Sequence, residues 1–254
     1  MTFLNKTIEK QLQHRSIRKF QDKKIDDATL KTFFEVANRT ASSIAMQSYS
    51  MIRITDKDKK KKLSEICKQD YIKDFPEIVI FVVDVYRNAR ISEEMGKDLP
   101  HKKDMDRFFQ GFTDGVLAAQ NMVNAIESLD MGTVYLGSIL NDPQAIIDLL
   151  ELPRLTFPIV GLGFGYPDQD PMLKPRMDIS LKVFENKYEK QDSYLESIKE
   201  YDKEMRKYYD LRNEDKPLDE FSKQVVAILE MENEKRSKLL NVVKSQGFNL
   251  KIEE

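Results

Sequence analysis

The stretch Ile78-Val79-Ile80-Phe81-Val82-Val83-Asp84-Val85 is apolar at every position but one. It is far too short to cross a bilayer. It also lacks the apolar/polar alternation of a strand with one wet face. It reads as a strand buried on both sides, which needs cover above and below. Three weaker strands join it: SMIRIT near residue 50, GTVYLGS from 132 and TFPIVGLGFGYP from 156. The first of these alternates apolar and polar residues.

Helical signals surround the strands. Residues 2–13 place Phe3, Ile8 and Leu12 near one face. Asp26 or Asp27 caps a helix that carries Leu30, Phe33, Phe34 and Ala37. The lysine-rich DKDKKKKLSEICK reads as a helix with a solvated face. The longest pattern is DMDRFFQGFTDGVLAAQNMVNAIESLD, with Gly111, Gly115, Ala118, Ala119 and Ala125. Small residues let another backbone come close, so this helix belongs against the sheet or a partner subunit. NDPQAIIDLLEL is a helix with Pro143 in its first turn, where the missing N–H does no harm.

Two polar regions stand apart. Residues 88–104 read as an excursion over the surface. After residue 170 comes an extended arm, then two charged helical patterns at 190–211 and 218–246. Helices that polar rarely fold alone and need a body to lie on. The expected organisation is an α+β core over 1–170 and an extension over 171–254 that packs on the core and on a partner.

With 41 basic against 43 acidic residues and a net charge of -2, general nucleic-acid binding is disfavoured. One cysteine and two histidines cannot build a disulfide framework or an ordinary zinc site. The N-terminus has no apolar core of the signal-peptide type. A cytoplasmic protein without a membrane span is expected.

Four segments carry donor chemistry. HRSIRKF packs His14, Arg15, Ser16 and Arg18 together, a set that suits phosphate or carboxylate. LKPRM sets Lys174 and Arg176 about a rigid proline. ASSIAMQSYS supplies Ser42, Ser43 and Gln47, and FGYPDQDP is a turn leading into the second basic pair. Read from the residues alone, the first cluster is either a phosphate grip or a surface patch paired with acids such as Asp22.

Taken together in this order, with MGTVYLGSILND and VFENKY, these segments resemble the nitroreductase family, in its NAD(P)H-dependent flavin-reductase and oxygen-insensitive nitroreductase branch. The resemblance spans nearly the whole chain. It implies a mainly antiparallel sheet wrapped by helices, in an intertwined homodimer whose C-terminal arm embraces the partner. It implies non-covalent FMN at the subunit interface, with NADH or NADPH as donor. The acceptor is then a free flavin, a quinone or a nitroaromatic, reduced by a ping-pong cycle.

Position by position, the resemblance gives His14, Arg15, Ser16 and Arg18 to the FMN phosphate, ribityl oxygens and pyrimidine end. Ser42, Ser43 and Gln47 come across the interface, Gln69 lies near the flavin with Tyr71 beside it, and Lys174 and Arg176 complete the phosphate grip. Tyr135, Leu136, Gly137 and Ser138 form a strand and turn whose backbone N–H groups face the ring. Lys174 or Arg18 would offset the negative charge of the reduced cofactor. Ser138 stands where two consecutive glycines are usual, and Ile44 where serine is common. Arg212 survives from the nicotinamide-phosphate loop, but Pro217 and acids replace its companions, which leaves NADH plausible. No side chain reads as a catalytic acid, base or nucleophile, because FMN carries the chemistry. Cys67 reads as a structural thiol and His101 as a surface residue. The competing readings are a phosphate-anion binding module and a helical dimer scaffold without cofactor.

Overall fold

The computed structural model describes residues 5–210 and 217–250. Phe3 and Arg212 lie outside the described residues. The chain divides into two units, residues 1–169 with 233–254, and residues 170–232. Residues 233–254, which the sequence pattern joins to the extension, thus group with the first unit.

In the first unit, α1 (Lys6–Leu12) is followed by α2 (Asp27–Asn38) and a short 3-10 turn at Ser43–Ala45. Next come β1 (Tyr49–Arg53), α3 (Lys57–Cys67), β2 (Glu77–Asp84) and α4 (Tyr86–Glu94). Then follow α5 (Met105–Ser128), β3 (Gly132–Leu136), α6 (Pro143–Leu150) and β4 (Thr156–Gly165). Side chains begin the helices where expected: Asp26 accepts the Thr29 N–H, Asp56 that of Lys59 and Asp142 that of Ala145.

The four strands form one sheet in the order β1-β2-β4-β3, with every neighbour antiparallel. β2 is central, as its apolar run requires. Its side chains alternate between two layers. Val79, Phe81 and Val83 pack with Leu30, Phe33, Met122 and Ile126 of α2 and α5. Ile78, Ile80 and Val82 pack with Leu63, Cys67, Ile72 and Ile146 on the α3–α6 side. Each such side chain contributes about 1.5–3 kcal/mol through burial. Lys60 departs from the expected solvated face. It is 9% exposed, and its Nζ donates to the Phe75 and Pro76 carbonyls at 2.7 and 2.8 Å. Burial pulls its pKa down.

The first part of the expected surface excursion, from residue 88, falls within the helix α4. Ala89 is buried, and Arg90 pairs with Glu93 and Glu94 on the outer face. The polar composition hid residues that are sound helix formers. The two long C-terminal patterns are also corrected. Among the described residues the α-helices of the second unit are α7 (Tyr194–Ser197), α8 (Lys199–Met205) and α9 (Phe221–Glu230). The chain then returns to the first unit with α10 (Glu234–Ser237) and α11 (Leu239–Ser245). The Asn233 side chain accepts the Arg236 N–H and starts a new helix where the charge pattern ran on unbroken.

Within the second unit, Asp202 accepts the backbone N–H and the hydroxyl of Ser222, joining α8 to the start of α9. The Tyr201 and Phe221 rings meet at 5.3 Å between centroids. No helix among the described residues is long and apolar enough to cross a membrane.

Candidate functional site

The cationic segment is held along the outer edge of β3. Ile17 N–H donates to the Thr133 carbonyl at 2.8 Å, and Ser16 bridges Thr133 in a parallel sense. Gly132 makes this approach feasible, because a Cβ there would lie 2.5 Å from the Ile17 side chain. His14 Nδ1 stands 2.8 Å from Glu127 Oε1, which also accepts from the Thr133 hydroxyl. Glu127 thereby fixes the imidazole and leaves its other nitrogen for a ligand. Lys19 pairs with Asp168 at 3.0 Å. Arg18 is half-buried and has no ion pair with the described residues. Asp22 takes no part in these pairings.

β3 ends at Leu136, and Gly137, four residues beyond Thr133, opens the 3-10 turn that follows. Leu136 is 1% exposed, so only its backbone can meet a ligand. Tyr135 is half-buried, donates to Gln120 Oε1 at 3.2 Å, and has its phenol pushed up by burial. Gly137 is exposed, and a Cβ built on it would have no heavy atom within 4 Å. Neither packing nor a positive φ demands glycine here. An open space over a bare turn, along the strand from an uncommitted arginine, fits a flat ligand with an anionic tail. Ser138 donates to Gln69 Oε1 at 2.9 Å, which ties the turn to the segment after α3. Tyr71, in that segment, lies against the Phe75 ring at 5.6 Å.

Arg236 belongs to this turn and was not legible in the sequence. Its Nη1 donates to Asn141 Oδ1 at 3.1 Å and stands 3.5 Å from the Gly137 carbonyl. Lys235 beside it pairs with Asp142. In the string NEKRSK nothing separates Arg236 from an ordinary solvated helix face.

Ser42, Ser43 and Gln47 are not brought to the cluster within one chain. Their loop leads into β1, at the opposite edge of the sheet from β3. The loop is strained, with positive φ at Ile44 (43°), Ala45 (59°) and Gln47 (49°). Three side chains hold it. Asp114 Oδ1 accepts the Ser43 N–H at 2.9 Å, Arg87 donates to the Gln47 and Tyr49 carbonyls, and Asn88 donates to the Met46 carbonyl. Asp114 is 1% exposed, and its Oδ2 has no partner among the described residues. A cavity of about 580 Å³ opens beside the loop, lined by Phe34, Gln47, Tyr49, Met51 and Arg87. None of the His14–Arg18 group lines it within one chain.

Lys174 and Arg176 fall in the second unit. Arg176 Nη1 donates to the Lys174 and Pro175 carbonyls at 3.1 and 3.3 Å, and Lys174 Nζ stands 5.9 Å from the Tyr208 ring centroid.

An antiparallel sheet between helical layers, with a cationic segment and an open glycine turn at one edge, defines an α+β fold with a candidate ligand site at that edge. The chain belongs to the nitroreductase family: the family model matches residues 12–166, and the model of the family's C-terminal domain matches 174–251. An NADPH-dependent oxidoreductase of Staphylococcus saprophyticus is 33% identical over 239 residues, 92% of this chain and 94% of that relative. The NADPH-flavin oxidoreductase of Vibrio harveyi is also 33% identical, over 96% of this chain and 99% of its own length. The solved structure of the Vibrio harveyi NADPH:FMN oxidoreductase with NAD+ superposes with a TM-score of 0.84 at 32% identity, covering 97% of this chain and 100% of that one.

Proposed function

We propose that this chain is an FMN-dependent oxidoreductase that passes hydride from NADH or NADPH to a free flavin, quinone or nitroaromatic, in a ping-pong cycle. The observation that carries the reading is the open turn at Gly137, which follows the strand that the His14–Arg18 segment lies against. Relatives that are a third identical over nearly their full length are flavin oxidoreductases by name, which supports it.

Bound FMN supplies the centre that accepts and donates hydride. The residues do the rest. Arg15, Ser16 and Arg18 meet the phosphate and ribityl oxygens, with the imidazole of His14 oriented by Glu127. Lys174 and Arg176 are further phosphate donors. Backbone N–H groups at Gly137 and Ser138, with Gln69, face the ring. Arg18 or Lys174 keeps a permanent positive charge against the reduced cofactor's negative charge. The bare surface of Gly137 leaves one ring face open, so donor and acceptor use it in turn.

The chain acts as a cytoplasmic homodimer. Ser42, Ser43 and Gln47 at one sheet edge and the cationic segment at the other become neighbours only if a second copy supplies the loop. α5 supports this, since Phe109, Val116 and Leu117 are 62, 42 and 46% exposed along one helical face. Sedimentation of the purified protein is expected to give a dimer, and a monomer that retains FMN refutes the shared site.

Titration of the apoprotein with FMN tests the cofactor reading. The expected result is a yellow complex, bleached by NADH or NADPH. Arg18→Ala removes a charge-assisted contact of roughly 1.5–3 kcal/mol and should weaken FMN ten- to a hundredfold. A phosphate-binding module would take inorganic phosphate as well as FMN, and a scaffold would take neither.

A further inference from the structure

The first cationic segment is tied to the chain beyond β4 by a short antiparallel pairing. Gln21 N–H donates to the Tyr166 carbonyl and Asp168 N–H to the Lys19 carbonyl, each at 2.9 Å, and Phe20 bridges Pro167. The ion pair of Lys19 with Asp168, at 3.0 Å, joins two residues that this register sets opposite each other. Carried one residue further, the same register sets Gln169 opposite Arg18. Opposite residues of an antiparallel pair project from one face, with Cβ atoms about 5 Å apart. Successive residues alternate between faces. Arg18 and Gln169 thus share the face on which Phe20 meets the Phe75 ring, at 5.1 Å between centroids. Lys19 and Asp168 satisfy each other on the opposite face.

On the shared face the donors are left over. Gln169 Nε2 is sealed from solvent and has no hydrogen-bond partner among the described residues. Arg18 is half-buried and has none among them either. A buried donor left unbonded costs free energy, so such an atom calls for a cause. The N–H groups of a guanidinium and of an amide cannot satisfy one another. An acceptor set between them satisfies both, and an anionic oxygen group does so best, because the hydrogen bonds it receives are charge-assisted.

We propose that Gln169 is a ligand-binding residue of the phosphate end, its amide donating beside the Arg18 guanidinium to the phosphate of bound FMN. The inference rests on the FMN reading above. The amide adds a directional hydrogen bond and no charge. Such a donor lowers the stability of the apoprotein and raises its affinity for the ligand.

The test uses the full-length apoprotein, titrated with FMN and followed by flavin fluorescence, and its thermal melting without FMN. Gln169→Leu keeps much of the volume and removes the donor, so it should weaken FMN about tenfold. The melting temperature of its apoprotein should hold or rise, since no hydrogen bond is lost. Gln169→Glu keeps the shape and sets a carboxylate against the phosphate, so it should weaken FMN by roughly a hundredfold or more. It should still fold, because the new carboxylate can pair with Arg18. Parental FMN affinity in both variants overturns the proposal. So does a fall of more than about 3 °C in the apoprotein melting temperature of Gln169→Leu, roughly one lost hydrogen bond in a chain of this size. That fall would show the amide turned round with its oxygen on Arg18, or bonded to a second copy. A crystal structure of the FMN complex should place Nε2 within about 3.2 Å of a phosphate oxygen. If the parent apoprotein takes up no FMN, the functional reading itself fails, a result distinct from either.

Discussion

Gly137→Val should give a folded, colourless protein. A Cβ at Gly137 meets nothing within 4 Å, and the residue does not need a positive φ. The sheet and both apolar layers therefore have no reason to notice the change. A branched side chain would stand in the space over the turn, where the ring of FMN is proposed to lie. Displacing a flat ligand by even one ångström also breaks its register with Arg18 and Gln69. FMN affinity should fall by at least a hundredfold, or about 2.7 kcal/mol at RT ln 10 of 1.36 kcal/mol per decade. Circular dichroism and the melting temperature should stay close to the parent. A yellow Gly137→Val protein with parental affinity would move the ring away from this turn. Loss of fold would show that the glycine serves packing instead.

Gly111→Ala should have the opposite signature, a large loss of stability. A Cβ at Gly111 would lie 2.4 Å from the Ser48 carbonyl oxygen and 3.0 Å from Val83 Cγ1. The first of these is backbone and is already engaged, since Ser48 O accepts the Asp84 N–H at 2.9 Å. Relief requires α5 to move off the sheet or β1 to move off β2. Overpacking of this kind costs about 1–3 kcal/mol, and a rigid carbonyl puts the site at the upper end. For a chain of this size that is a fall of roughly 5–10 °C in Tm. The loop carrying Ser42, Ser43 and Gln47 should also loosen, because Ser48 ends it and Asp114, one turn further along α5, anchors it. An unchanged melting temperature would show that α5 and β1 do not meet as closely as described.

The two variants separate the roles of glycine here. At Gly111 and Gly132 the missing side chain lets another segment approach. At Gly137 it borders open space, where the ring of FMN is proposed to lie. Sequence marks all three alike, and only the surrounding atoms tell them apart.

Part of the candidate site was legible in the sequence, and part was not. His14, Arg15, Ser16 and Arg18 sit within five residues, so local spacing alone gathers them. Gln69 and Ser138 are also marked by the family pattern, but their hydrogen bond spans 69 positions and no spacing rule reaches that far. Arg236 arrives at Gly137 across 99 positions from a helix that looks like any solvated one. Nothing in the pattern of the long α5 helix marks Asp114 as the anchor of a strained loop.

The amino-acid string by itself determined the sheet's buried central strand and the starts of the helices at Asp26 and Pro143. These follow from local rules: apolar period, side-chain caps and the geometry of proline. It did not determine that the polar segment after β2 is a helix, or that the charged C-terminal patterns break into short pieces, because surface helices carry little apolar signal. Nor did it decide which residues from distant elements share the Gly137 turn. That choice was made by strand order and by close approach at small residues, and such contacts are energetic properties of the folded packing, which no window along the chain contains.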